Sequence, residues 1–353
     1  MNTGGQDRDG TPTPQASEAP EVSEASEAPG GPLASSHGRS EAAADSRFGG
    51  APSSGVEPAN AQANGALPTL NAGERKQVER RVAISAFIVH ETVREEGERE
   101  LVRAPAALAW SGLAAGLSMG FSLLGQGLLR AYLPAAPWRP LVASLGYSVG
   151  FVIVVLGRQQ LFTENTLTAI LPLLAHPNLR TFGRVARLWA LVLVANLLGA
   201  LIFATVVAHT SLFPPFVQAA LAGVARDSLR GGFGLTVLRG IFAGWLIALM
   251  VWLLPAAENA RLHIIVLLTY LVSLGGFAHI IAGAVEALYL VNIGTISWGT
   301  FFFGFTLPTL IGNSIGGVSL VAALNFAQVA AESSGNAGNA SNASNASNAG
   351  NGR

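Results

Sequence analysis

His279 lies in LVSLGGFAHIIAG, deep inside an apolar stretch, and is the one histidine of six so placed. His37 and His90 precede the apolar part of the chain, while His176, His209 and His263 fall near the ends of its segments. An ionisable side chain inside a membrane is costly and usually faces a polar cavity or a partner. Imidazole changes charge near neutral pH, which suits it to exchanging a proton with a passing weak acid. The plainer reading is a neutral ring hydrogen-bonded between helices. Asn313, in LIGNSIGG, carries an amide able to fix that ring. A second polar interruption, GRQQLFTENT (157–166), separates SVGFVIVVL from ILPLLA. There Thr163 supplies a hydroxyl, and backbone N–H groups freed at a half-helix start can face an anion. Leu161 and Phe162, with Tyr147 and Phe151 on the preceding helix, form either an apolar constriction or ordinary packing. Glu164 at such a mouth repels anions unless it pairs with Arg158 or points away. Glu286, seven residues after His279, lies either within the membrane or near its surface.

Apolar stretches must carry these groups. Half of the residues are hydrophobic, only 12% are charged, and mean hydropathy is positive. A bilayer-spanning helix needs about 20 apolar residues. Such helices are expected at about 106–130, 140–157, 184–208, 236–256, 262–290 and 299–327, six in all, with short extra segments beside two of them. Tryptophans cluster near the predicted ends, where indole is favoured. Residues 1–72 have almost no large apolar side chains, and 329–353 form an Asn/Ala/Ser/Gly repeat; both are expected to be disordered tails. The polar N-terminus shows no apolar core of a cleavable signal peptide. Residues 73–104 read as an amphipathic helix with an apolar face at Val82, Ile84, Phe87, Ile88 and Val93. That helix lies against the membrane or a neighbouring subunit, or leads, solvated, into the membrane. The bias of Lys and Arg, with an even number of spans, places both termini in the cytoplasm of a multi-pass protein of a bacterial-type inner membrane. Zero net charge without a basic cluster argues against nucleic acid as a partner.

The core 105–328 contains an internal repeat. Gly116-x-x-x-Gly120 in the first span matches Gly240-x-x-x-Gly244 in the fourth, and ANLLGA (Asn196) in the third matches GNSIGG (Asn313) in the sixth. Each half also has an interruption, LFTENT and SLGGFAH, at similar spacing from its asparagine. Three spans per half make the second copy start from the opposite face. The fold class expected is therefore an all-α membrane protein of two inverted three-helix repeats with helices 2 and 5 broken. Non-helical backbone survives at membrane depth only where protein buries it or a cavity is lined by it. Paired breaks thus point to a pathway between the repeats; the alternative is an exposed loop at 157–166.

LFTENT, FAHIIAG and LIGNSIGG, in this order within six spans, resemble the formate/nitrite transporter family over about residues 75–328. The resemblance implies an aquaporin-like fold and a homopentamer with one pore per subunit in the lipid bilayer. It implies a mobile loop and apolar constriction at Leu161, Phe162 and Thr163 with Tyr147 and Phe151. It further implies a histidine, His279, that protonates or stabilises a small monovalent anion, and a last-helix asparagine, Asn313. Three positions depart from the family pattern: Ala278 where Glu is common, Gly244 where Asn is common, and Glu164 where a small residue is common. The leading expectation is a channel or transporter for small monovalent anions such as formate or nitrite, or their conjugate acids, linked to protons through His279. The alternatives are a channel for a small uncharged solute and a non-conducting membrane scaffold. No nucleophile–base set, metal cluster or phosphate loop is present, so neither an enzyme nor a cofactor or metal is expected.

Overall fold

A computed structural model describes residues 86–322, which are helical throughout with short connections. The expectations for 1–85 and for 323–353 lie outside the described residues. Helix α1 spans Ala86–Val102. The first three-helix unit follows: α2 (Pro105–Tyr132), α3 (Arg139–Leu156) broken before α4 (Phe162–Thr168) and α5 (Ile170–Ala175), and α6 (Leu179–His209). Helix α7 (Pro215–Ser228) links the halves and was not among the expected spans. The second unit is α8 (Phe233–Leu253), α9 (Arg261–Leu274) broken before α10 (Ile280–Asn292), and α11 (Leu307–Ile315) flanked by π-helical turns at Thr300–Thr306 and Gly316–Ala322.

Among the described residues five helical stretches are long and apolar enough to cross a membrane, Leu179–His209 and Phe233–Ala256 among them. Large apolar side chains such as Val149, Ile153, Leu198, Ile202, Val206 and Phe303 are exposed on the outside, as a bilayer-facing surface requires. The third and sixth elements pack against the first and fourth, α6 on α2 and α11 on α8. Each half-helix crosses to the other unit, α4 onto α8 and α10 onto α6. Helices α3 and α9 pair across the centre, joined by Thr269 donating to Ser148 at 2.8 Å. They run in opposite directions: the end of α3 (Leu156) and the start of α9 (Arg261) line the same cavity. This is the inverted repeat expected from the sequence.

Its register is one turn different from the expected one. Asn196 donates to the carbonyl of Gly112 and Asn313 to that of Gly240, so Gly112 and Gly116 are the counterparts of Gly240 and Gly244. A Cβ on Gly116 would overlap the Asn196 carbonyl, and one on Gly244 would overlap the Asn313 carbonyl. Gly199 and Gly316 meet the carbonyls of Leu113 and Ile241 in the same way. Small residues let the backbones approach this closely. The sequence pairing went astray because Gly112, Gly116 and Gly120 repeat at one period, so either adjacent pair fits the pattern.

Helix α1 carries apolar residues on two sides. Its buried side is Val89, Val93, Gly97 and Leu101, whereas Phe87 and Ile88 are about half exposed, at 52% and 53%. The buried side lies against α5, α6 and α8 of the same chain, and a Cβ on Gly97 would strike the Thr168 carbonyl. On the polar side Arg94 pairs with Glu91 and Glu98, and its hydrogen bond holds the Glu91 carboxyl below the usual carboxylate range.

Close approach at these glycines sets a test. Gly244→Leu is expected to destabilise the α8–α11 contact by about 1–3 kcal/mol or more, read as a lower thermal midpoint and a lower yield of folded protein in detergent. Gly234→Ala, where no atom lies within 4 Å of the added carbon, is expected to leave both unchanged.

Candidate functional site

Each broken helix restarts at a buried turn, and each restart is held by one asparagine. Asn196 Oδ1 accepts from Phe162 N–H at 2.9 Å, while its Nδ2 donates to the carbonyls of Gly112 (2.7 Å) and Gln160 (2.9 Å). Asn313 Oδ1 accepts from Ile280 N–H at 2.9 Å, while its Nδ2 donates to Gly240 and Ala278, both at 2.8 Å. Both side chains are fully buried. The amide suits this task because it offers an acceptor and two donors in one plane. Asn313 therefore clamps the peptide groups on either side of His279, not the imidazole ring as expected from the sequence.

The ring is fixed by other groups. His279 Nδ1 accepts from the N–H groups of Ile281 (3.3 Å) and Ala282 (3.2 Å), capping α10. With Nδ1 an acceptor, the proton of the neutral ring sits on Nε2 and points at Thr163 Oγ1, 2.8 Å away. Phe151 packs edge-on against the ring at 4.9 Å between centroids, and Tyr147 lies against Phe151 at 5.4 Å. Thr163 and His279, 116 residues apart in sequence, thus join the two half-helix starts.

A cavity lies on each side of this pair. One, of about 430 Å³, lies beside α1 and is lined by Gln160 and Glu164 together with Arg99, Arg103, Arg158 and Arg261. The other, of about 120 Å³, lies towards the α2–α7 side and is lined by His279 with Tyr147, Glu286, Gln126 and Ser228. Leu161, Phe151 and Thr163 are completely buried and line neither cavity. The segment 161–163, between Gln160 and Glu164 of the first cavity, reaches His279 of the second through Thr163.

Not every expected residue joins this centre. Phe162 is buried but packs against Trp189 of α6 at 5.7 Å, and the Trp189 indole donates to the Asn165 carbonyl. LFTENT is itself mostly helical; the irregular backbone is GRQQL (157–161), with Arg158 at a φ of 49°. That left-handed geometry is uncommon outside glycine, asparagine and aspartate and aims Arg158 into the larger cavity. Arg158 and Glu164 share the cavity without forming an ion pair, and Glu164 Oε1 has no hydrogen-bond partner. Among the described residues no group of three or more His, Asp or Glu side chains is placed to hold a metal. Sequence reasoning marked Asn196 only as a repeat signal; its match to Asn313 was the cue to its role as a clamp. It missed Gln160, Arg261 and the α7 residues, which have no motif of their own.

A sequence model of the family described as formate/nitrite transporter matches residues 88–327. The chain belongs to the formate/nitrite transporter family. Transport rather than catalysis is the business of that family, as its name states. The inner membrane protein YfdC of Escherichia coli K12 is 43% identical over 256 residues, covering 72% of this chain and 83% of its own. A probable formate transporter of Methanothermobacter thermautotrophicus is 27% identical, covering 63% of this chain and 84% of its own. Among solved structures, an FNT family ion channel superposes with a TM-score of 0.62 at 18% identity, covering 69% of this chain and 99% of its own. A pentameric formate channel with formate bound gives 0.53 at 18% identity, covering 67% and 98%. The fold is thus that of formate/nitrite transporter channels, and the protein is a multi-pass membrane protein.

The clamps make a further prediction. Asn196→Ala and Asn313→Ala each orphan buried backbone groups, at about 1–3 kcal/mol for each group left unpaired. Both variants are expected to lower the thermal midpoint in detergent, whereas a change at exposed Phe303 to Leu is expected to leave it in place.

Proposed function

We propose that this chain forms a homopentamer whose subunits each pass a small monovalent anion, formate or nitrite in type, together with a proton. The observation that carries the reading is the pair of cavities ending on either side of the Thr163–His279 contact. Two half-helix starts converge there, and their N-termini carry partial positive charge that favours an anion. The larger cavity holds four arginines against three glutamates, Glu96, Glu100 and Glu164, which draws anions to that mouth. Leu161 and Phe151 close the centre to a hydrated ion, so the solute sheds water and meets the Nε2–H of His279 and the Thr163 hydroxyl. Passage as the neutral acid lowers the desolvation cost. The α1 side, with Arg180, Arg184 and Arg187 at the start of α6, faces the cytoplasm in this reading, with both termini there.

A second reading, a channel for a small uncharged solute, is favoured by the carboxyl groups of Glu164 and Glu286, one in each cavity.

The test uses the purified oligomer in liposomes loaded with a pH-sensitive dye. Formate or nitrite added outside is expected to acidify the lumen, and Thr163→Val, which leaves the His279 Nε2–H unpaired, is expected to slow this by about tenfold. No response to either anion, with faster osmotic swelling in glycerol, would transfer the assignment to the uncharged solute.

A further inference from the structure

Glu286 is 3% exposed and lines the smaller cavity together with His279, two turns earlier on the same face of α10. Seven residues of helix put about 10 Å between their backbone positions along the axis. The polar and charged groups of the cavity around Glu286 come from several elements; α6, which also packs on α10, contributes none. Helix α2 presents Gln126 and Arg130, α3 presents Tyr147, and α7 presents Asp227 and Ser228. Helix α9 adds Ser273 and the turn before α11 adds only Phe305. Arg130 is the one cation among them, and it is engaged by Asp227 at 2.6 Å, which also pairs with Arg230. Glu286 makes no ion pair among the described residues.

The two cavities therefore differ. In the larger one four arginines share the lining with Glu164. In the smaller one an ionised Glu286 would face an incoming anion with no free cation to offset it. A neutral carboxyl at the same place is instead an O–H donor to that anion. His279 is poorly placed to supply the proton, because Nδ1 accepts from two backbone N–H groups and Nε2–H is bonded to Thr163.

We propose that Glu286, not His279, is the proton donor to a weak-acid anion entering from the smaller cavity. This rests on the proton-linked reading above. The carboxylic O–H of Glu286 breaks, its proton joins an oxygen of the anion, and the bonding pair stays on Glu286 as carboxylate. The neutral acid crosses the Thr163–His279 contact, and Glu286 takes a proton from water of its own side. One proton and one anion cross per cycle. Travel in the reverse direction returns the proton to Glu286. His279 and Thr163 then position and desolvate the solute without changing charge.

The full-length oligomer in dye-loaded liposomes, given formate across outer pH 5.5–8, tests this. Glu286→Gln, isosteric and unable to donate that proton, is expected to cut formate-driven acidification by about tenfold or more and to flatten its dependence on outer pH. Wild-type acidification with an unchanged pH profile in Glu286→Gln would overturn the proposal while leaving proton-linked transport intact. Absence of formate-driven acidification in the wild type would overturn both. If Glu286→Gln fails to assemble, Glu286→Asp decides. Withdrawing the carboxyl by one methylene is expected to slow the rate severalfold and displace the pH profile, and a profile identical to wild type would overturn the assignment.

Discussion

Two buried asparagines hold this fold open at its centre. A break inside an apolar helix frees backbone groups that neither lipid nor water can satisfy. Asn196 and Asn313 each absorb one N–H and two carbonyls at such a break, one in each inverted unit. Everything else at the site depends on this. The clamp ties the half-helix to the long helix opposite, through the Gly112 and Gly240 carbonyls. Glycines then let the long helices close around the clamp. Gly116 and Gly199 serve the first, Gly244 and Gly316 the second. A side chain at these positions would push the long helices away from the asparagines, and the breaks would lose their partners.

The near-symmetry of the clamps makes the asymmetry of the site informative. The residue preceding α4 is Leu161, and the one preceding α10 is His279. One position is apolar and the other is the polar cap of its own helix. Thr163, on the first turn of α4, completes the asymmetric pair. An identical scaffold thus presents a hydrophobic stop from one side and a hydrogen-bond donor from the other. In the proposed pathway the solute meets a dry centre with the Nε2–H of His279 and the Thr163 hydroxyl, a place for a small group with an acceptor oxygen.

How legible this was in the sequence depends on the kind of signal. The six-span core, its inversion and its two breaks were legible because hydropathy and repeated motifs encode them directly. His279 and Thr163 were found because polar groups in apolar segments stand out. Their contact was not legible, since 116 residues separate them and only the crossing of α4 and α10 brings them together. The role of Asn313 was misjudged for the same reason: its three partners are backbone groups, which a sequence does not display. On α1 the sequence marked Val93, which is buried, together with Phe87 and Ile88, which are half exposed; it passed over Val89, Gly97 and Leu101, which complete the buried side. Helix α7 was passed over because 14 residues are too few to span a bilayer, yet it walls the smaller cavity.

Placement of carboxyl groups carries the argument furthest. The resemblance leads one to expect a glutamate immediately before the histidine, and Ala278 stands there instead. In this fold the Ala278 carbonyl is bonded to Asn313 and its N–H to the Arg239 carbonyl, so the backbone at 278 belongs to the clamp while the residue also lines the smaller cavity. Position 286 lines the same cavity, two helical turns away from the clamp. A carboxyl there reaches the water of the mouth without disturbing the break, and its distance from the Thr163–His279 pair separates proton exchange from desolvation. On the proposal above, the acid–base step falls on the cavity side, where water can restore the proton. The barrier stays dry, with His279 held in one tautomer by the two N–H groups it caps. Loss of the glutamate beside the histidine does not, on this geometry, strip the pathway of an ionisable partner; it moves that partner two helical turns outward.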